Sequence, residues 1–320
     1  MNPKVKKTLN ILLPLLLGVF LVYYAYNKFT PEQLAEMTSY FKGANYNYIL
    51  LSSLFSLVGL FSRAYRWKYG LNYLGYKSNF LNNLMAISIG YLMNLTVPRS
   101  GEVSRAVVLQ KYQKITFDKG FGTIISERLI DLVCLLIFVS IAFILQYNQL
   151  KDFLLEKIPF ESLLILLTVL VICGVVGIYL LFYSKLKFFI FIRTKIKGLV
   201  EGVLSIYRMP NRIGFLFHTA IIWISYVVTF YFGTLALQET SDISLGVVMV
   251  AFVVGSLAET FTNGGFGAFP LMISEILLLY GISATAGTAF GWILWTSQTA
   301  IIVLMGGFSF LLLPLFNKNK

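Results

Sequence analysis

Long apolar runs constrain this chain more than any other feature. Runs at about 8–27, 46–63, 119–146, 162–184, 213–237 and 287–315 can each cross a bilayer, which takes about 17–25 residues of helix. Backbone in lipid must satisfy its N–H and C=O groups internally, and the runs lack the period-2 alternation of barrel strands. The fold class is therefore an all-α, polytopic membrane protein. Composition agrees, because only 12% of the 320 residues are charged and 58% are hydrophobic, where a soluble domain carries about 25% charged residues. The net charge of +12 would suggest nucleic acid in a soluble protein. In a membrane protein the excess Lys and Arg belong on cytoplasmic loops facing anionic lipid, so no nucleic-acid partner is expected.

Cys134 and Cys173 both lie inside apolar runs, and His218 is the one histidine. No disulfide framework, metal site or cofactor is expected from such a set. The start, "MNPKVKKTLNILLPLLLGVFLVYY", imitates a signal peptide, but its apolar part is long and ends in large aromatics. It reads as an uncleaved first transmembrane helix.

Two more regions, 80–112 and 245–282, are apolar but interrupted. Asn82–Val97 amounts to roughly 24 Å of helix, short of a roughly 30 Å hydrocarbon core. Loop charge decides how to thread them. Lys4, Lys6 and Lys7 precede the first run, and Arg63, Arg66, Lys68 and Lys77 follow the second. The 184–212 stretch is the most basic in the chain, whereas 28–45, 147–161 and 238–244 are balanced or acidic. If 82–97 crossed fully, the 184–212 stretch would face outward, against the positive-inside rule. If 80–112 enters from the cytoplasm and returns, every basic loop falls inside. The expected layout is six full spans plus two re-entrant hairpins, with both termini cytoplasmic. It reads as one integral membrane domain, 1–320, with an inverted-topology repeat: 1–146 forms one half, and 147–184 with 213–320 the other. Residues 185–212 form an amphipathic cytoplasmic connector.

Three polar motifs interrupt the apolar background. The first is Pro98-Arg99-Ser100-Gly101-Glu102, at the break of the first hairpin. Proline stops the incoming helix, Gly101 permits an unusual turn, and a helix restarting near Val103 would present free N–H groups. Arg99 and Arg105 add forked donors suited to phosphate oxygens, and Glu102 can pair with an arginine or a headgroup ammonium. An ordinary interfacial turn with snorkelling arginines accounts for the same residues. The second motif is "SERLID", Ser126–Asp131. Glu127 and Asp131 share a helix face, and Arg128 can pair with Asp131. Charges at such depth point to function, or to an ion-pair knot tying this helix to Arg99 or Arg105. The third is "ETFTNGGFGAFP", Glu259–Pro270, where Asn263, Gly264, Gly265 and Gly267 form either an anion-binding nest or a close-packing surface. Glu259 and Glu275 are the ionisable groups in an otherwise uncharged 245–316 stretch. Arg63 and Arg66 suit either membrane anchors or phosphate contacts, while Tyr65, Trp67, Tyr69, Tyr73 and Tyr76 read as an interfacial belt.

With "RAYRW" at Arg63–Trp67, these motifs resemble the lysylphosphatidylglycerol synthase transmembrane-region family of flippase-like membrane proteins. The matching residues are Arg63, Arg66 and Trp67; Pro98, Arg99, Gly101, Glu102 and Arg105; Glu127, Arg128 and Asp131; and Gly264, Gly265 and Gly267. Their order is the family's, across nearly the whole chain. Members often carry a glutamate shortly after the glycine loop, where this chain has Pro270, with Glu275 or Glu259 as possible substitutes. The resemblance implies translocation of a phosphate-bearing lipid: an anionic or aminoacylated phospholipid, or a polyprenyl phosphate. Synthase chemistry, which resides in a following soluble domain, is not expected of this chain. A secondary transporter of a small organic anion, or an intramembrane lipid-modifying enzyme, are the other readings of the same residues.

Overall fold

The structure is a computed structural model. It describes residues 16, 18–24, 26–27, 29–97, 99–149, 151, 168, 172, 175–177, 179–186, 188–190, 192–193, 208–262 and 264–318. Among them there is no strand. Ten helices are named in chain order: α1 (Pro31–Gly43), α2 (Tyr46–Tyr73), α3 (Phe80–Thr96), α4 (Ser100–Gln113) and α5 (Phe117–Leu145). They are followed by α6 (Arg212–Thr234), α7 (Gln238–Ser241), α8 (Leu245–Phe261), α9 (Ala268–Leu278) and α10 (Ala284–Phe316).

Four of these, α2, α5, α6 and α10, are long and apolar enough to cross a membrane. The outer face of α5 leaves Leu132, Val133, Leu136, Ile137 and Ile144 exposed, as a lipid-facing surface requires. The other two expected spans, 8–27 and 162–184, and the 185–212 connector fall largely outside the described residues, as does Cys173. Where residues 18–24 are described, they are helical.

Helix α2 extends ten residues past the expected end of its span at Arg63. No Gly–Pro pair or capping signal interrupts "RAYRWKYGLNY", and its two arginines find carboxylates inside the protein, so the helix has no reason to stop. It packs antiparallel to α6. Ser52 Oγ donates to the Thr229 carbonyl (2.7 Å), and Thr229 Oγ1 returns a bond to the Ser52 carbonyl (3.2 Å). Such reciprocal bonds join two apolar helices where hydrophobic contrast with lipid gives no drive.

Both interrupted regions are pairs of short helices with a break between them. Helices α3 and α4 fold back on each other around residues 97–99. The turn differs from expectation in two ways. Its left-handed residue is Arg99, at φ 61°, while Gly101 is helical, in an α4 that starts at Ser100 and not at Val103. The glycine serves packing: a Cβ on Gly101 would strike the Gly90 carbonyl and the Asn94 side chain. In α8–α9, by contrast, Gly264, Gly265 and Gly267 all take positive φ (62°, 79° and 71°), so the expected special backbone is present. Pro270 is the third residue of α9, inside its first turn as expected. Pro98 and Asn263 lie outside the described residues.

Helix α10 joins the two pairs. A Cβ on Gly291 would come within 2.6 Å of Pro270 Cα on α9, and one on Gly306 within 2.8 Å of the Ser88 carbonyl on α3. The two breaks also meet directly, since a Cβ on Gly264 would lie 3.0 Å from Leu95 Cδ2. Overpacking at such contacts costs about 1–3 kcal/mol. Gly101→Ala should therefore lower the thermal unfolding midpoint in detergent by several degrees. Gly122→Ala, at a position with open space around it, should leave the midpoint unchanged or slightly raised.

Candidate functional site

Where α2, α4, α5 and α6 meet, the sequence places seven charged groups. Glu127 and Asp131 stand one turn apart on α5, so both carboxylates project toward α2 and α4. Arg63 and Arg66, three apart on α2, both reach Asp131: Arg63 Nη1 to Oδ2 at 2.8 Å, and Arg66 Nη1 to Oδ1 at 2.7 Å. Arg105 Nη2 of α4 donates to Glu127 Oε2 at 2.7 Å, and Arg66 Nε lies 3.6 Å from Glu127 Oε1. Arg128 closes the outer side, 3.1 Å from Glu102 Oε1 and 3.9 Å from Asp131 Oδ2. The first four arginine–carboxylate contacts are deeply buried: Arg66 is 0% exposed and Arg63 and Glu127 3%, whereas the Arg128 side chain at the rim is 36% exposed.

Neutral groups complete the walls. Tyr226 of α6 accepts from Arg63 Nη2 at 2.9 Å, and Thr219, two turns earlier on α6, lies 3.5 Å from Arg66 Nη1. The Arg105 guanidinium sits 4.0 Å above the Trp67 ring, whose Nε1 donates to Thr123 Oγ1 at 2.9 Å. A desolvated guanidinium gains substantially from an aromatic face. Trp67 is fully buried, so it is no part of an interfacial belt. Three and four residues on from buried Ala64 and Arg63, it shares their interior face of α2.

The cluster has four guanidinium groups against three carboxylates, which leaves one net positive charge in a buried setting. Several donors have no acceptor: Arg63 Nε, Arg66 Nη2, and Arg105 Nε and Nη1. On the acidic side Glu102 Oε2 and Glu127 Oε1 accept no hydrogen bond. Unfilled guanidinium N–H groups are of the kind that pairs with phosphate oxygens.

The structure thus unites Arg63, Arg66, Glu102, Arg105, Glu127, Arg128 and Asp131. Arg63 and Arg66 are not membrane anchors, and of the "SERLID" carboxylates Glu127 is tied to Arg105 and not to Arg99, while Asp131 takes Arg63 and Arg66. Arg99 is exposed at the start of α4. One α4 N–H expected to be free is already filled, because Gly101 donates to Asn94 Oδ1 at 2.7 Å. The glycine loop packs elsewhere. The Gly264 carbonyl accepts from Trp295 Nε1 at 2.7 Å, and a Cβ on Gly267 would come 2.7 Å from the Gly18 carbonyl. Glu259 lies over this loop, with Cγ 3.0 Å from a Cβ built on Gly265, and Glu275 is exposed on α9. Thr219 and Tyr226 escaped the sequence reading. Their signal was a pair of polar residues seven apart in an apolar span, which places them on one helix face.

Removing one partner of a buried ion pair strands the other charge and costs about 3–5 kcal/mol. Glu127→Gln should destabilise the protein by that order in denaturant unfolding. Adding Arg105→Gln should recover part of the loss, which a double-mutant cycle would measure as a coupling of at least about 1 kcal/mol.

The family described as "Lysylphosphatidylglycerol synthase TM region" matches residues 11–307, a stretch that contains all seven charged residues and both chain breaks. The chain is also 30% identical over 97 residues to the UPF0104 membrane protein MJ1595 of Methanocaldococcus jannaschii, covering 29% of this chain and 29% of that protein. The match therefore spans under a third of that relative's length. No solved structure matches the chain. On a match across almost its entire length, the chain belongs to the lysylphosphatidylglycerol synthase TM-region family.

Proposed function

We propose that the protein is a lipid translocase that moves a phosphate-bearing lipid across the cell membrane by alternating access. The observation that carries this reading is the buried arginine–carboxylate cluster, with its net positive charge and its unfilled guanidinium donors. The substrate is an anionic or aminoacylated phospholipid, or a polyprenyl phosphate. We read the chain as a transporter and not as an enzyme.

In this reading the headgroup enters at the Arg128–Glu102 rim while its tails stay in the bilayer. The phosphate takes the free N–H groups of Arg66 and Arg105. Glu127 and Asp131 keep the arginines neutralised when the site is empty, and Glu102 is free to meet a cationic headgroup once Arg128 turns to the phosphate. A cluster that pairs with itself when empty limits the cost of burying charge at both ends of the cycle. The finer architecture belongs to the same proposal. It comprises six spans, α3–α4 as a re-entrant pair from the cytoplasm, α8–α9 as a re-entrant pair from outside, and both termini cytoplasmic. The two halves then form an inverted repeat whose rocking exposes the site alternately. The contact between Leu95 and the Gly264 position supports facing breaks.

Purified protein in liposomes provides the test, with fluorescent phosphatidylglycerol, lysyl-phosphatidylglycerol and a polyprenyl phosphate followed from one leaflet to the other. Wild type should accelerate at least one of them well above protein-free liposomes. Arg66→Gln and Arg105→Gln should each slow that lipid at least tenfold. No acceleration of any of the three would overturn the reading, and saturable uptake of a soluble organic anion would replace it with an anion transporter.

A further inference from the structure

Away from the buried cluster, three lysines that share no acidic partner converge on one cleft. Lys77, Lys111 and Lys114 line a space of about 360 Å³ together with side-chain amides, and none of the described residues lining it is acidic. That volume falls at the lower end of the roughly 300–1,000 Å³ typical of small-molecule sites.

The walls come from three distant parts of the chain and are fastened by amides. Gln113, the last residue of α4, accepts from the Asn79 N–H at 2.8 Å and donates to Asn83 Oδ1 at 3.0 Å. Asn82 of α3 and Asn317, just past α10, exchange two hydrogen bonds of 2.9 Å each. These bonds hold the ends of α3, α4 and α10 in fixed relation, so the lysine stems spring from a rigid frame. Lys114 supplies an independent sign. It sits in the left-handed region at φ 54°, where glycine or asparagine is the ordinary occupant of a helix end. A strained conformation kept at a charged residue in a cleft points to a task for that charge.

The preference for positive residues on cytoplasmic loops explains which side these lysines lie on. It does not explain their convergence around a framed space, or a lysine held at positive φ. We propose that this cleft is a second anion site, separate from the buried cluster, that takes a phosphate or diphosphate group at the cytoplasmic surface. Lysine suits such a ligand as a compact, mobile ammonium. The group can belong to a lipid headgroup or to a soluble phosphate compound.

The experiment is calorimetric titration of the full chain in phosphatidylcholine nanodiscs. One arm uses inorganic pyrophosphate and the other dioctanoyl phosphatidic acid. Wild type should bind at least one probe, and K77Q/K111Q/K114Q should bind it at least tenfold more weakly, while K42Q, which removes an exposed lysine of α1 outside the cleft, stays within twofold of wild type. Binding of pyrophosphate alone assigns a soluble ligand, and binding of phosphatidic acid assigns a headgroup. Lys114→Gly relieves the backbone as it removes the charge. It should weaken binding with an unchanged or higher melting temperature, which separates loss of the site from loss of the fold. Wild type binding neither probe, or the triple variant binding as tightly as wild type, would overturn the proposal. So would a loss as large with K42Q, which would assign the binding to overall charge.

Discussion

Two carboxylates on one helix turn hold the architecture together. Glu127 and Asp131 receive guanidinium groups from α2 and α4 at 2.7–2.8 Å, and their own helix supplies Arg128 to the rim. Each arginine would be untenable alone in an apolar interior, because stripping an ion of water costs several kcal/mol even after relaxation. The same low dielectric that makes unpaired charge so costly makes the paired network stiff. Charge pairing thus joins the apolar packing of Trp67, Ala106, Leu109 and Ile124 in setting the positions of α2, α4 and α5. Helix α6 is added through neutral partners, Tyr226 at the cluster and the Ser52–Thr229 exchange further along. Scaffold and proposed binding surface are one set of side chains.

The two chain breaks solve the same problem by different chemistry. At the first, backbone turns at Arg99, and Gly90 and Gly101 let α3 and α4 touch, so the returning helix brings Arg105 into the charged cluster. At the second, three glycines at positive φ turn the chain among aromatic rings, with Phe266 near Trp292 and Trp295. One break is polar and loaded with charge. The other is a small-residue turn in an aromatic setting, with Glu259 above it. Similar outlines thus carry unequal chemistry at the two breaks.

Much of this was legible in the residues, for reasons that can be named. Apolar run length and the absence of period-2 alternation identified the long helices, since bilayer thickness leaves few alternatives. The breaks at 97–99 and 262–267 were visible because proline and glycine punctuate helices wherever they occur. Spacing placed Glu127 and Asp131 on one face. What spacing alone left open was which partner each charge chooses. Arg128 lies one turn from Asp131 in sequence yet approaches Glu102 more closely, because α4 arrives at that side. Trp67 sat among aromatics that look interfacial, and only the fold-back of α4 puts Arg105 over its ring. Gly101 was read as a turn residue because glycine's two uses, unusual dihedrals and close approach, look identical in a sequence.

Helix α10 gives these parts a mechanical relation. Its 33 residues make a rod of roughly 50 Å. Gly291 seats α9 and Gly306 seats α3, at points roughly 23 Å apart along the axis. A rod pivoting by about 10° at one seat would carry the other sideways by about 4 Å, a distance comparable to three quarters of the helical pitch. At both seats the absence of a side chain lets the backbones touch. Both interrupted pairs thus rest on one helix, and a displacement of α10 would reach α9 and α3 together.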